Sequence, residues 1–238
     1  MQLRQACRCL GFGFNRPRHG SENALDFFTF ADFIDRDGKY QLNMLSRSAF
    51  APLAQSMRPM LQEEAFHLLT GNTGLMRIVK AGMIPSRIIQ KYLNKWISTA
   101  YDLFGQDESS TAYWAYLWGV KGRYDEHLFD GPPDMNKIND VSRNQYYKEV
   151  SAIVDSLNKN LKPGNEPLVM PDIKFNRAVG MYAGHPYSVT GELLSPEVYE
   201  KHKHEVVPSE ADVQFVINLE KEKAPWIVDP NLASAPAR

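Results

Sequence analysis

Three side chains offer chemistry in this sequence. Glu64 and His67 stand three apart in the run Met57-Arg58-Pro59-Met60-Leu61-Gln62-Glu63-Glu64-Ala65-Phe66-His67, and Asp35 follows the apolar run from Leu25 to Ile34. Phe50, Leu53, Met57, Met60, Leu61 and Leu68 recur at helical intervals and define one face of a helix. At 100° per residue Glu64 falls within about 20° of Met57, whereas Glu63 lies roughly 120° away on the polar side. Glu64 therefore points toward the core, with His67 one turn further along nearly the same face. An ionised carboxylate there is costly unless something pairs with it, and a metal ion would satisfy both groups. Glu-x-x-His on one bundle helix, joined by a lone carboxylate from a neighbour, is the unit from which carboxylate-bridged di-iron sites are built.

Asp35 is the candidate lone carboxylate. Leu25, Phe28 and Asp35 share one face, while Phe27, Phe30 and Ile34 cover another, so the segment is apolar nearly all round and should be buried. Asp35 precedes Glu64 by 29 residues. That distance lets one helix run out, turn near Gln41 to Ser48 and return antiparallel with both carboxylates at similar depth. The alternative is plain: Glu-x-x-His also arises by chance, and a core histidine is more often a hydrogen-bonded structural residue than a ligand.

The runs Phe27 to Leu42 (FFTFADFIDRDGKYQL), Leu61 to Gly71 (LQEEAFHLLTG) and Tyr101-Asp102-Leu103-Phe104-Gly105 together resemble the oxygenase component of benzoyl-CoA 2,3-epoxidase, from about Ala24 to near the C-terminus. The catalytic subunit of phenylacetyl-CoA epoxidase is a more distant likeness. The resemblance implies a ferritin-like helical bundle holding two irons. It implies O2-dependent epoxidation of a CoA-activated aromatic acid, with electrons from a separate flavin and iron–sulfur type reductase that oxidises NADPH. Carried over by motif, Asp35, Glu64 and His67 are the second half of the iron ligands. The first half lies on two upstream helices that this sequence lacks, and nothing in Met1 to Gly20 replaces it. A full site takes four carboxylates and two histidines. The likeness is thus to a C-terminal portion of the oxygenase component.

The elements that must position these residues follow from the rest of the chain. Its 238 residues, 43% hydrophobic, can bury one large core. A net charge of −1 gives no reason to expect nucleic acid, and no apolar run reaches the length that spans a bilayer. A soluble cytoplasmic protein is expected. Cys7 and Cys9, the only cysteines, have neither zinc-site nor disulfide spacing. Residues 1–20, with four arginines and no acid, read as an unstructured leader, and Ser21 as the cap of the Asp35 helix. A second helix is expected over Ser48 to Thr70, kinked by Pro59 and closed by Gly71 and Gly74. Residues 21–162 are read as the helical bundle portion.

Between Ala65 and Tyr101 there is no acid, yet Arg77, Lys80, Arg87, Lys91 and Lys95 are present. Arg87, Lys91 and Lys95 recur at intervals of four on one helical face, where like charges need solvent or an anionic partner. CoA phosphates or an acidic face of the reductase are the ligands considered, against a merely solvated face. Ser110 to Val120 carries Tyr113, Trp114, Tyr116 and Trp118, read as core or as the lining of an aromatic pocket. After a loop at Gly131-Pro132-Pro133, a helix is expected over Val141 to Asn160 with Val150, Ile153, Val154 and Leu157 inward, ended by Pro163-Gly164. Residues 163–238 are expected to form a small strand-and-loop region, with strands at Asp172 to Val179 and Val213 to Ile217 and a loose tail beyond Pro225. His185, His202 and His204 lack carboxylates at matched depth and are read as surface or packing residues.

Three functions fit: an incomplete oxygenase component, a homodimer in which two copies of Asp35, Glu64 and His67 meet, and a non-catalytic helical interaction module.

Overall fold

The computed structural model describes residues 23–122 and 137–223. The leader, Ser21, the loop at Gly131 to Pro133 and the tail beyond Pro225 lie outside the described residues. The architecture is mainly helical, as a ferritin-like bundle requires. In order come α1 (Ala24–Leu45), α2 (Ala51–Ala81), α3 (Ser86–Leu103), α4 (Ser110–Leu117), α5 (Ile138–Asn158), α6 (Pro196–Val206) and α7 (Glu210–Lys223).

Asn23 caps α1, its side chain accepting from the Asp26 amide at 2.9 Å, with Asp26 itself in the positively polarised first turn. The chain then reverses and returns as α2, antiparallel to α1. Pro52 sits in the first turn of α2, where its missing N–H costs nothing, and the helix runs on through Pro59. The helix does not close at Gly71 and Gly74, as expected from the sequence; it continues to Ala81 and ends on Gly82, whose φ of 64° is the left-handed cap glycine favours.

Gly71 and Gly74 serve a different purpose. A Cβ on Gly71 would lie 2.5 Å from the Asp32 amide nitrogen and 2.7 Å from the Ala31 carbonyl carbon, and one on Gly74 would lie 2.2 Å from the Phe28 ring. The two backbones touch because these positions carry no side chain. Gly71→Ala should therefore destabilise the fold by about 1–3 kcal/mol through overpacking, although alanine is the better helix former by about 1 kcal/mol. Urea denaturation measures it; unchanged or greater stability would show that the backbones do not approach this closely.

The core gathers residues of α1, α2, α3, α5 and α7, Leu75, Ile78 and Val79 of α2 among them. Leu25 and Phe33 of α1, Ile89, Leu93 and Ile97 of α3, Val150 and Leu157 of α5, and Val216 of α7 are all sealed from solvent. Tyr146 is edge-on to Tyr101 and Phe104, and its hydroxyl donates to the Phe33 carbonyl at 3.1 Å. That bond gives the one polar atom of a buried ring a partner. The N-terminus of α5 is capped from a distance: the Asp107 carboxylate accepts from the Asn139 and Asp140 amides at 2.7 and 2.9 Å.

The C-terminal region departs from expectation. Among the described residues no strand forms, and the β pairing there is a single bridge between Tyr187 and Leu193. Asp172 to Val179 is a succession of turns, in which Asp102 of α3 accepts from Arg177 and from the Ala178 and Val179 amides. Val213 to Ile217 lies inside α7. Its β-branched residues suggest a strand, but Asp212, Val216 and Leu219 are the buried ones, spaced four and three apart as on a helix. Ser209 and Asp212 also form a reciprocal cap, Asp212 accepting from the Ser209 amide at 3.0 Å and Ser209 from the Asp212 amide at 3.3 Å. No helix among the described residues is long and apolar enough to cross a membrane.

Candidate metal centre

The antiparallel pairing of α1 and α2 is laid down in rungs. Phe28 faces Gly74, Asp32 faces Gly71 and Gly38 faces Glu64. Asp35 falls between the last two, opposite His67 and close in depth to Glu64. His67 Nδ1 stands 3.7 Å from Asp35 Oδ2 and 3.6 Å from Glu64 Oε2. One donor atom from each of the three residues lies within 4.8 Å of the others. Asp35 and Glu64 are buried, and the His67 side chain remains 38% exposed at the rim.

These separations are too long for hydrogen bonds. Glu64 Oε2 and His67 Nδ1 are both buried atoms without a hydrogen-bond partner. The arrangement thus differs from a core histidine satisfied by its neighbours. Three donors converge on a common point, and two lack the partner that burial demands. Burial pushes the Asp35 carboxyl up to about 6 against the opposing pull of His67. Burial and the neighbouring Asp35 charge push Glu64 up to about 7. Both acids are uncomfortable as anions without a counter-charge. A divalent cation meets all of these deficits, and carboxylate oxygens with one imidazole nitrogen suit iron, manganese or zinc.

Gly38 makes the arrangement possible. A Cβ there would approach Glu64 Oε1 to 3.1 Å, so glycine leaves the carboxylate its place. Behind Asp35 the next turn of α1 is locked to α5. Arg36 pairs with the fully buried Asp32 at 2.6 Å and with Glu149, which also accepts from Lys39 at 2.8 Å and from the Tyr40 hydroxyl at 2.7 Å. Asp37, also buried, takes a hydrogen bond from Gln41 at 3.2 Å and feels the Lys121 ammonium; Lys121 itself donates to Asn139 at 2.8 Å. Sequence reasoning missed Asp32, Arg36, Asp37, Gly38, Lys121 and Glu149. The Asp32–Arg36 spacing of four was a visible signal, but Glu149 is more than a hundred residues away.

An open depression of about 400 Å³ lies beside the cluster, lined by Pro59, Gln62, Glu63, Phe66 and His67. His67 connects it to the buried acids. Glu63 is exposed there, as its helical angle required.

The basic stripe finds its anions within the chain. Lys91 pairs with Asp212 of α7 at 2.8 Å, and Lys95 with Asp26 of α1 at 2.8 Å, while Arg87 is exposed. Lys95 also lies 4.3 Å over the Trp96 ring. The stripe fastens α7 and α1 to α3, and only Arg87 is left facing solvent. The aromatic run is not core: no residue of α4 is buried, and Trp118, which follows it, is 73% exposed. Of the histidines set aside, His202 accepts from the Val189 amide at 3.1 Å, a packing role.

No protein-family model matches this sequence. A curated relative does: benzoyl-CoA oxygenase component B from Aromatoleum evansii is 32% identical over 239 aligned positions, which take in 82% of this chain. The same alignment takes in 50% of that protein, so the chain spans about half the length of the relative.

Proposed function

This chain belongs to the benzoyl-CoA oxygenase component B family, and from that premise we propose that it forms the Asp35–Glu64–His67 half of an oxygenase metal centre that binds iron. The substrate class is an aromatic acyl-CoA, benzoyl-CoA first, and the reaction is O2-dependent epoxidation of its ring. The relative's name marks it as one component of several, and electrons would come from a separate NADPH-oxidising reductase. The observation that carries the reading is the meeting of three donor atoms within 4.8 Å, two of them on groups whose buried polar atoms lack a partner.

Iron bound there would supply the redox capacity for activating O2. The residues of this chain have other tasks. Asp35 and Glu64 contribute two negative charges, which balance a divalent ion, and His67 a neutral nitrogen. Gly38 and the close packing of α1 on α2 fix the two acids at one depth. The Arg36–Glu149 link prevents α1 from turning about its own axis, which would carry Asp35 out of reach. Burial keeps bulk water from the acids, while the depression beside His67 is the side from which a ligand can approach. Pro59 and Phe66 give that side an apolar wall suited to an aromatic ring.

Anaerobic titration with iron(II), followed by O2 uptake measured with and without benzoyl-CoA, tests the proposal. Saturable binding and uptake stimulated by the thioester are expected. Uptake indifferent to the thioester would remove the substrate assignment, and a chain that takes up no iron would remove the metal centre.

A further inference from the structure

The outer face of α2 changes character along its length. At 100° per residue Phe66, Leu69, Thr73, Arg77 and Lys80 fall within about 80° of one another. All five are exposed, Phe66 and Leu69 by 68 and 64%. In chain order the face passes from apolar side chains through a hydroxyl to two cations. Arg77 and Lys80 have no ion-pair partner among the described residues, whereas Lys91 and Lys95 do. No acid occurs between Ala65 and Tyr101 to supply one locally. Two unpaired cations one turn apart attract a phosphate-rich anion, and the apolar end of the same line fits a ligand whose other end is apolar.

The lengths agree. At 1.5 Å per residue Arg77 lies about 16 Å along the helix from Phe66, and Lys80 about 21 Å. The pantetheine arm of a CoA thioester, from sulfur to the first phosphorus, spans roughly 16 Å when extended, at the reach per bond of an extended chain. The face is turned away from Glu64, so a ligand lying on it runs outside the α1–α2 pair. His67 stands about 100° round the helix from Phe66, and the depression that both residues line is where the acyl end can turn inward.

We propose that the outer face of α2 from Phe66 to Lys80 is a track for the CoA carrier of the substrate, with Arg77 and Lys80 on its phosphates and Phe66 and Leu69 beneath its acyl end. The inference rests on the acyl-CoA reading above and adds the residues that hold the carrier. Every residue of the track stands on one helix of this chain, so neither a second copy nor the metal is needed to form it.

Isothermal titration of the full, metal-free chain with CoA, benzoyl-CoA and inorganic pyrophosphate tests it. CoA should bind with an affinity that falls as salt is raised, and pyrophosphate should bind about tenfold more weakly or worse. Arg77→Glu combined with Lys80→Glu, at positions exposed enough to leave the fold intact by circular dichroism, should weaken CoA about tenfold or more and flatten the salt dependence. Phe66→Ala should weaken benzoyl-CoA more than CoA, which fixes the direction in which the ligand lies; equal losses would overturn that placement and the track with it. A double variant that binds CoA as wild type does, or a wild type that binds pyrophosphate as tightly as CoA, overturns the track and leaves the acyl-CoA reading standing. A wild-type chain that binds neither CoA nor benzoyl-CoA, with or without cobalt(II), overturns both.

Discussion

Replacing His67 with alanine is expected to lower the affinity of the chain for a divalent transition ion by a hundredfold or more. Loss of a group that merely orients a ligand costs about 10–100-fold, and loss of a ligand itself costs at least as much. Glu64→Ala should do the same and carry a second signature. In the metal-free protein Glu64 is an acid whose carboxyl is pushed up to about 7 mainly by burial, so its ionised form opposes folding. A folded value raised above the unfolded one means stability that is full below about pH 4 and is lost as pH rises through about 7. Asp35, raised to about 6, acts in the same direction.

Metal-free wild type should therefore melt lower at pH 8 than at pH 5, and Glu64→Ala should narrow that difference while abolishing ion binding. Added metal should restore the wild type at pH 8, because binding requires the ionised acids and releases their protons. Thermal denaturation in chelator and in excess cobalt(II) reads all three effects. If Glu64→Ala and His67→Ala bind the ion as well as wild type, the three side chains are not its ligands. A purely structural His67 would instead lower the melting temperature when removed and leave ion binding unchanged.

Asp37→Asn should stabilise the protein by roughly 2–4 kcal/mol at pH 8 and leave stability at pH 4 unchanged. Asp37 is buried, with one side-chain hydrogen bond from Gln41. Burial carries its carboxyl from 3.8 to about 7, against the pulls of Gln41 and Lys121, and each pK unit is worth about 1.4 kcal/mol. The folded value lies above the unfolded one, so the acid contributes stability below about pH 4 that is lost as pH rises to about 7. Asparagine keeps the shape and an acceptor for Gln41 and cannot ionise. Lys121, lowered to about 8 by burial, loses a supporting charge in the variant and sheds its proton more readily, which limits the cost of that loss. Urea denaturation at the two pH values decides it. Equal destabilisation at both would mean that Asp37 is held for its hydrogen bonding and not tolerated despite its charge.

The faces of α1 and α2 were legible in the sequence because they obey a single period. Glu64 inward and Glu63 outward follow from 100° per residue, and the two carboxylates, Asp35 and Glu64, at similar depth from one reversal. What the period does not carry was missed. Gly71 and Gly74 read as a helix end because glycine's backbone freedom is its commoner meaning; here the meaning is a missing side chain, visible only once α1 lies against it. Lys91 and Lys95 read as a stripe in need of an anion, and the need was real. Their partners, Asp212 and Asp26, stand 121 and 69 residues away, beyond any local pattern. The strand expected at Val213 to Ile217 failed for the opposite reason: the local signal of Ser209 and Asp212 at a helix start was present and outweighed by β-branched residues.

The vacant Cβ position at Gly38 sets where the Glu64 carboxylate comes to rest. A single added carbon would nudge that acid sideways while its charge, its hydrogen-bonding capacity and its place in the chain stayed the same. The resting place of the Glu64 carboxylate is thus adjustable from the opposite rod, through a residue that carries no side chain of its own.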